Sequence, residues 1–502
     1  MSDDAVLITG GLVLPGAGAE AAPADILVEH GRITAIEPPG SIDPSRGQSL
    51  PAHDRLIVPG LVNGHTHGHG ALGKGQVGDR APLEVFLTAG IAWSGNRTLD
   101  DKRLTATLTA VELVRRGCTT ACDLFVEYPE PTLEGITAVA EAYDAVGMRA
   151  VVAPMMADIT LFKALPGLIE TLPQPHRARA EAMRTAPTET SLAAARAILD
   201  GWTLDRERIR PGVAPTIPLH CSDAFMTGCA RLAAEFDAPL QTHLAETKTQ
   251  NLLGQTRYGR SLTAHLDALG LLSPRFSAAH GIWLDQDDMQ RIGAAGGAVI
   301  HNPMSNLRLG SGVAQARRLK EAGVRLGIGT DASNTSDGQN MFEALRLAAY
   351  LSRIAEADPA RWIDAGEAFE AATEGSAAIL GFERLGRLEP GWAADMVFLD
   401  LGHVTYVPLR APLLQMAFAE SGAALRSVMI AGRMVLQDGR LLTVDEGKLR
   451  AEAEAAARRL DAANEGGRAG ADALADLVGC FCLAHARQPA RIARTVWEAT
   501  QA

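Results

Sequence analysis

Eight short apolar runs recur through the middle of this chain, at residues 56–63, 118–125, 148–156, 209–215, 239–245, 276–282, 297–301 and 325–330. Helical stretches separate them. Such alternation is the pattern of βα units on a parallel sheet, and eight units are what a (β/α)8 barrel needs. An open doubly wound sheet would call for a Gly-rich phosphate turn after an early strand, and there is no clear one. Reactive residues stand at the run ends: His65 and His67, Asp123, His243, His280, His301 with Asn302, and Asp331. In a barrel those ends meet at one mouth, where active sites form.

The flanks read differently. Val6–Thr9, Ile26–Glu29 and Arg32–Ile36 are short strand signals parted by Gly10-Gly11 and His30-Gly31, and the pattern returns at 395–400 and 428–436. The expected organisation is a small β-sandwich from 1–58 and 389–445, an α/β (β/α)8 barrel at 59–388, and a C-terminal helical extension at 446–502. Within the extension, residues 446–464 read as a helix, Glu465-Gly466-Gly467 as a loop, and the rest as a second helical stretch serving packing or oligomer contacts. Residues 157–190 break the βα spacing, either as a lid or as a helical excursion without a role.

Pro59-Gly60-Leu61-Val62-Asn63-Gly64-His65-Thr66-His67 carries the first chemical signal. Alternate side chains of an extended segment point the same way, so two imidazoles converge and could hold one metal ion. Two ordinary core or surface histidines would look the same. The next signals are Gln241-Thr242-His243-Leu244-Ala245-Glu246, Ala279-His280-Gly281 and Gly329-Thr330-Asp331. Each alone reads as a capping or loop residue; together they spread His, Asp and Glu over four strand ends.

Composition bounds the alternatives. The net charge of −12 disfavours a phosphate-backbone binder, so no nucleic-acid partner is expected. The acidic Met1-Ser2-Asp3-Asp4 start lacks the basic lead of a secretory signal, and there is no uninterrupted apolar run of membrane-spanning length. Six cysteines are too few for a disulfide scaffold. Cys480-Phe481-Cys482 with His485 reads as packing, since nothing nearby completes four ligands. A cytoplasmic protein without a membrane partner is expected.

In their order, His65-x-His67, His243-Leu-Ala-Glu246, Ala-His280-Gly and Gly-Thr-Asp331 resemble the amidohydrolase superfamily. They are most similar to its mononuclear deaminase and chlorohydrolase branch, whose members hydrolyse cytosine, guanine, pterin, adenosine-derivative and s-triazine rings. His301-Asn302-Pro303-Met304-Ser305-Asn306 resembles that branch's loop after the seventh strand. The likeness spans roughly residues 5–440. It implies that His65, His67, His243 and Asp331 bind one divalent metal, Zn2+ first, with Fe2+ or Mn2+ as alternatives. It further implies that Glu246 moves protons, that His280 orients the attacking oxygen, and that Asp331 can also accept the water's proton. The implied function is hydrolytic deamination of a nitrogen heterocycle such as a pterin, purine, pyrimidine or triazine. The alternatives are an s-triazine hydrolase expelling chloride or an alkylamine, and a non-catalytic dihydropyrimidinase-like scaffold. The expected partners are a small heterocyclic substrate and further copies of the chain in a homo-oligomer.

Two departures bear on the substrate. Relatives commonly carry Pro-His-x-Pro after the fourth strand, where this chain has Thr216, with His220 four residues later. A Leu-Arg-Gly is common where this chain has Gly73-Lys74-Gly75. The expected substrate contacts are Thr216, His220, Asn302, Asn306, Asn334 and His69, with Ser305 and Ser333 beside them. The absence of Lys from 209–223 argues against a lysine-bridged pair of metals.

Overall fold

The computed structural model describes residues 5–490 and residue 492, apart from residues 91, 93, 94 and 337. The N-terminal tetrapeptide and the last part of the second expected helical stretch, at residues 491 and 493–502, lie outside the described residues.

The chain opens with β1 (Val6–Val13), β2 (Ala22–Glu29), β3 (Arg32–Glu37), β4 (Gln48–Pro51) and β5 (Arg55–Pro59). The central strands are β6 (Leu61–Thr66), β7 (Cys118–Val126), β8 (Arg149–Met156), β9 (Ile209–Pro211), β10 (Ala214–Pro215), β11 (Leu240–Leu244), β12 (Phe276–His280), β13 (Ala298–His301) and β14 (Arg325–Ile328). After them come β15 (Met396–Asp400), β16 (Leu425–Ile430), β17 (Arg433–Gln437) and β18 (Arg440–Leu441).

The central strands are parallel throughout. One run is β6, β7, β8 with β9 and β10 both on β8; the other is β11 to β14 in order. A bridge between Val213 and Leu240 joins the runs. At the other seam the Asp331 N–H donates to the His65 carbonyl at 3.0 Å. With β9 and β10 as two pieces of one strand position, eight positions close as a barrel. Strands covered on both faces should be apolar without alternation, and β7 is buried from Cys118 to Phe125. The outer helices carry their own signals: Leu99–Val114 starts on a Thr98/Asp101 capping box. Leu133–Val146 starts on Thr132 and ends at Gly147, whose φ of 90° suits glycine.

The terminal strands form one nine-stranded sheet in which β5 and β15 join the two ends of the chain. It wraps a separate core of Ile8, Ile26, Val28, Ile57, Met396, Phe398 and Met429.

Two elements differ from their sequence reading. The run at 56–63 is two strands in two sheets. Gly60 is the joint: its N–H donates to the Asp395 carbonyl, and a Cβ there would lie 2.3 Å from the Thr119 side chain. The Glu465-Gly466-Gly467 loop does not exist, because one helix runs unbroken from Glu446 to Ala486. Leu449, Leu460, Leu474 and Val478 bury its inner face, and it lies against the helices Leu83–Gly90 and Leu99–Val114. Arg459 pairs with Asp101, and the Asn464 amide donates to the Gly95 carbonyl. Docking on both sides of the glycine pair outweighs the roughly 1 kcal/mol that each glycine costs a helix. By length and composition alone this helix is also apolar enough to cross a membrane.

Candidate metal centre

β6, β11, β12 and β14 bring their C-terminal ends to one point. His65 ends the inward face of β6 and His67 follows one step later; His243 comes from β11 and His280 closes β12. Asp331 follows β14. All five are buried, none above 7% exposed. Ala245, His280 and Asp331 have φ of 50°, 73° and 62°. Three non-glycine residues in the left-handed region beside one site mark backbone bent to aim side chains.

The outer hydrogen bonds set the tautomers. His67 Nδ1 lies 2.7 Å from the Leu124 carbonyl and His243 Nδ1 lies 2.7 Å from the Thr216 carbonyl. A carbonyl only accepts, so both Nδ1 atoms carry the proton and both Nε2 atoms of the neutral rings carry a lone pair. Those Nε2 atoms face each other at 3.1 Å. Gln241 treats His65 similarly. Its amide nitrogen donates to the Gly64 carbonyl and to Ser277 Oγ, turning Oε1 toward His65 Nδ1 at 2.6 Å. His65 Nε2 is then a buried lone pair without a partner among the described residues. Asp331 Oδ1 lies 3.4 Å from His67 Nε2 and 3.8 Å from His65 Nε2.

Three lone pairs and a carboxylate oxygen pointed at one spot repel each other unless a cation lies between them. Ligand atoms about 2.0–2.1 Å from a tetrahedral zinc ion stand about 3.3 Å apart, and separations of 3.1–3.8 Å bracket that value. The residues therefore fit one divalent ion with three nitrogen donors and one oxygen donor. Burial first, then the imidazoles of His67 and His243, holds His65 well below its usual pKa; burial, His67 and His280 pull His243 down to about 3. Burial pushes the Asp331 carboxyl upward, but His67, His65, His280 and the Ser305 hydroxyl outweigh it and keep it ionised. This is the protonation state that metal ligands need.

The second carboxylate oxygen faces other partners. Asp331 Oδ2 accepts from Ser305 Oγ at 2.6 Å and lies 3.8 Å from His280 Nε2. His280 Nε2 is 3.7 Å from Glu246 Oε2, and both atoms are buried without hydrogen bonds among the described residues. Burial, then Asp331 and Glu84, raises the Glu246 carboxyl well above its usual value. A histidine nitrogen and a carboxyl of raised pKa thus share one pocket edge with the ligands, the arrangement expected around a reacting water.

The remaining expected substrate contacts fall into three places. Asn302 and Asn306 lie behind His280: Asn306 Oδ1 is 2.8 Å from His280 Nδ1, and Asn302 packs over Gly329. Asn334 packs on the Gly70 and Gly73 turn, and Ser333 is buried with its hydroxyl unpartnered among the described residues. Thr216 and His220 line a neighbouring cavity of about 520 Å³. His69, half-buried against Phe125, lies beside that cavity. Lys74 pairs with Glu112 at the surface and stays out of the centre. Asp123 also stays out, accepting from the Gly68 N–H and the Tyr143 hydroxyl. Cys480 is exposed and Cys482 buried.

Gln241 and Gln339 are the positions that sequence reasoning missed. Gln241 was findable, since it precedes His243 by two residues in a strand and shares its face. Gln339 had no signal. It accepts from Thr66 and Thr330 at 2.9 and 2.7 Å and donates to the Asp331 carbonyl at 2.7 Å.

Residues 56–435 match the model of the amidohydrolase family. A 5-methylthioadenosine/S-adenosylhomocysteine deaminase of Syntrophobacter fumaroxidans is 32% identical over 88% of this chain and 95% of its own length. Among solved structures, a zinc-bound adenosine deaminase of Xanthomonas campestris superposes with a TM-score of 0.80 at 28% identity, covering 91% of this chain and 98% of that one. The zinc-complexed atrazine chlorohydrolase of Arthrobacter aurescens shares the fold, with a TM-score of 0.80 at 24% identity over 90% of this chain and 100% of that one.

Proposed function

This chain belongs to the amidohydrolase family, and from that footing we propose that it hydrolyses the exocyclic amine of a nitrogen heterocycle with one zinc ion as cofactor. The observation that carries the reading is the His67–His243 pair held lone pair to lone pair beside Asp331, with Glu246 at its edge. His65, His67, His243 and Asp331 would hold the ion. When bound, the ion lowers the pKa of a water toward neutrality and so supplies a nucleophile.

The chain's own residues supply the proton traffic. Glu246 takes one proton from the attacking water and delivers it to the ring nitrogen beside the reacting carbon, which becomes tetrahedral. The new hydroxyl's proton then passes through Glu246 to the amine, and the carbon–nitrogen bond breaks as ammonia leaves. A group that both takes and gives a proton works best with a pKa near the working pH, and the raised value of Glu246 suits that task. His280 Nε2 stands beside Glu246 Oε2 and Asp331 Oδ2, within reach of an oxygen lying between them. An amine needs a proton to leave and a chloride does not, so Glu246 favours deamination over dehalogenation. The buried centre calls for a small-molecule substrate. Relatives named for 5-methylthioadenosine and 5'-deoxyadenosine make adenine nucleosides the first compounds to try.

The test is an ammonia-release screen over adenine nucleosides, pterins, pyrimidines and aminotriazines, with zinc measured in the same sample. Ammonia from at least one class, abolished by chelation and restored by zinc, is the expected result. A zinc-loaded protein that releases ammonia from none of them would overturn the reading.

A further inference from the structure

The 520 Å³ cavity beside the metal centre holds a cation that the proposed reaction does not use. The two spaces share walls: Thr216, whose carbonyl orients His243, and Phe125, whose ring meets His69 edge-on at 5.7 Å. Much of the lining is apolar, with Met155, Met156, Ile159 and Phe162 among it. Arg97 also lines it. One of its terminal nitrogens donates to the His69 carbonyl, while its Nε is buried with no partner among the described residues. The buried Thr160 hydroxyl, also in the lining, has none either.

Among the described residues, no carboxylate is matched to Arg97. Lys102, another cation of the lining, is paired with Glu127. Asp101, whose charge acts on Arg97, is already engaged by Thr98 and Arg459. Burial pulls Arg97 down to about 10, the mark of a guanidinium taken from water without full compensation. Arg97 is half-buried with its Nε enclosed; a guanidinium so far withdrawn from water is ordinarily paired, so an unmatched one beside a cavity points to a partner that arrives with a ligand. The cavity is within the size range of ligand sites.

We propose that this cavity is a subsite for an apolar substituent ending in a carboxylate, which Arg97 receives. Nε and the adjacent terminal nitrogen form the fork that a carboxylate matches with two parallel hydrogen bonds. The carbon chain lies along Met155, Met156 and Phe162. The identification of the arm as part of a substrate rests on the deaminase reading; the anion site does not.

The test therefore avoids turnover. Hexanoate and 1-hexanol, equal in carbon count and differing in charge, are titrated into the zinc-loaded protein by ligand-observed NMR. Hexanoate should bind at least about tenfold more tightly, as a charge-assisted fork requires. Arg97→Met should remove that advantage and leave hexanol binding unchanged, while Arg97→Lys should keep part of it. Thermal unfolding and zinc content of each variant check folding. Equal binding of the two probes by the native protein overturns the proposal. So does a hexanoate advantage that survives Arg97→Met, since the anion would then be held elsewhere, on the zinc for instance. A negative ammonia screen leaves this result untouched, so the two failures are distinguishable.

Discussion

At His243 the backbone fixes the ligand before any ion arrives: the Thr216 carbonyl accepts a hydrogen bond from Nδ1–H and leaves the Nε2 lone pair facing His67. His243→Ala removes one of four donors and should cut bound zinc from about one per chain to a small fraction of that, read by elemental analysis after dialysis. An unchanged ratio would take His243 out of the ligand set. Glu246 predicts the opposite split. Glu246→Gln should hold zinc normally yet lose about 10²–10⁴-fold in turnover, the usual contribution of a general acid–base, measured on whichever amine the screen identifies. Gln339 acts one step further out. Its side chain ties Thr66, which lies between two ligands, to the Asp331 carbonyl. Gln339→Met should weaken zinc about 10–100-fold, as loss of an outer-shell partner typically does, read by competition with a chelator. Strand alternation put His65 and His67 on one face, and the resemblance of the motif order to the amidohydrolase superfamily supplied His243 and Asp331. Gln339 was not legible in the sequence, because it reaches the site from a loop, and no periodicity records where a loop folds back.

The strand ends carry constraints that belong to whole elements. β14 meets β6 at Gly329, where a Cβ would lie 2.4 Å from Asn302 Oδ1 and 2.9 Å from both the nitrogen and the oxygen of the His65 backbone. Side chains can turn aside; the backbone of a ligand-bearing strand cannot move without opening the barrel seam. Gly329→Ala should cost about 1–3 kcal/mol, the range for overpacking a tight core, and should loosen zinc as well, because His65 is the residue displaced. Urea unfolding with and without zinc separates the two effects. A variant as stable and as tightly loaded as the native protein would show that the seam yields. The same scale explains which elements the sequence announced. The apolar runs from 118 to 330 were visible because barrel strands are buried on both faces. The run at 56–63 hid a change of sheet, since residues on both sides of Gly60 are equally apolar and only contacts with Asp395 and Thr119 reveal the break. Gly466-Gly467 misled in the other direction: local propensity favoured a loop, and docking on both sides kept the helix intact.

The barrel and the terminal sheet are held to one another at a buried ion pair. Arg149, at the start of β8, donates from Nε to one Asp395 oxygen at 2.9 Å and from a terminal nitrogen to the other at 3.2 Å. Asp395 immediately precedes β15, accepts from the Ala431 N–H at 2.8 Å through its side chain, and through its carbonyl accepts from Gly60. One carboxylate therefore joins the first half of the barrel to the closing strands of the terminal sheet, at the very glycine where the chain passes from sheet to barrel. Its side chain is 1% exposed and that of Arg149 is 9%, so water can replace neither partner. Exposed pairs contribute about 0–1 kcal/mol, whereas removing one member of a buried pair costs about 3–5 kcal/mol, because the survivor is left charged and unpaired. Asp395→Ala should accordingly lower the unfolding free energy by about 3–5 kcal/mol. The loss should appear in urea unfolding of both the zinc-loaded and the chelated protein, since the pair lies at the start of β8 and the metal ligands at the strand ends opposite. The folded fraction should bind zinc as the native protein does. A loss below about 1 kcal/mol would mean that the pair behaves as an exposed one, and that hydrophobic burial and the β5–β15 pairing hold the two sheets together without it.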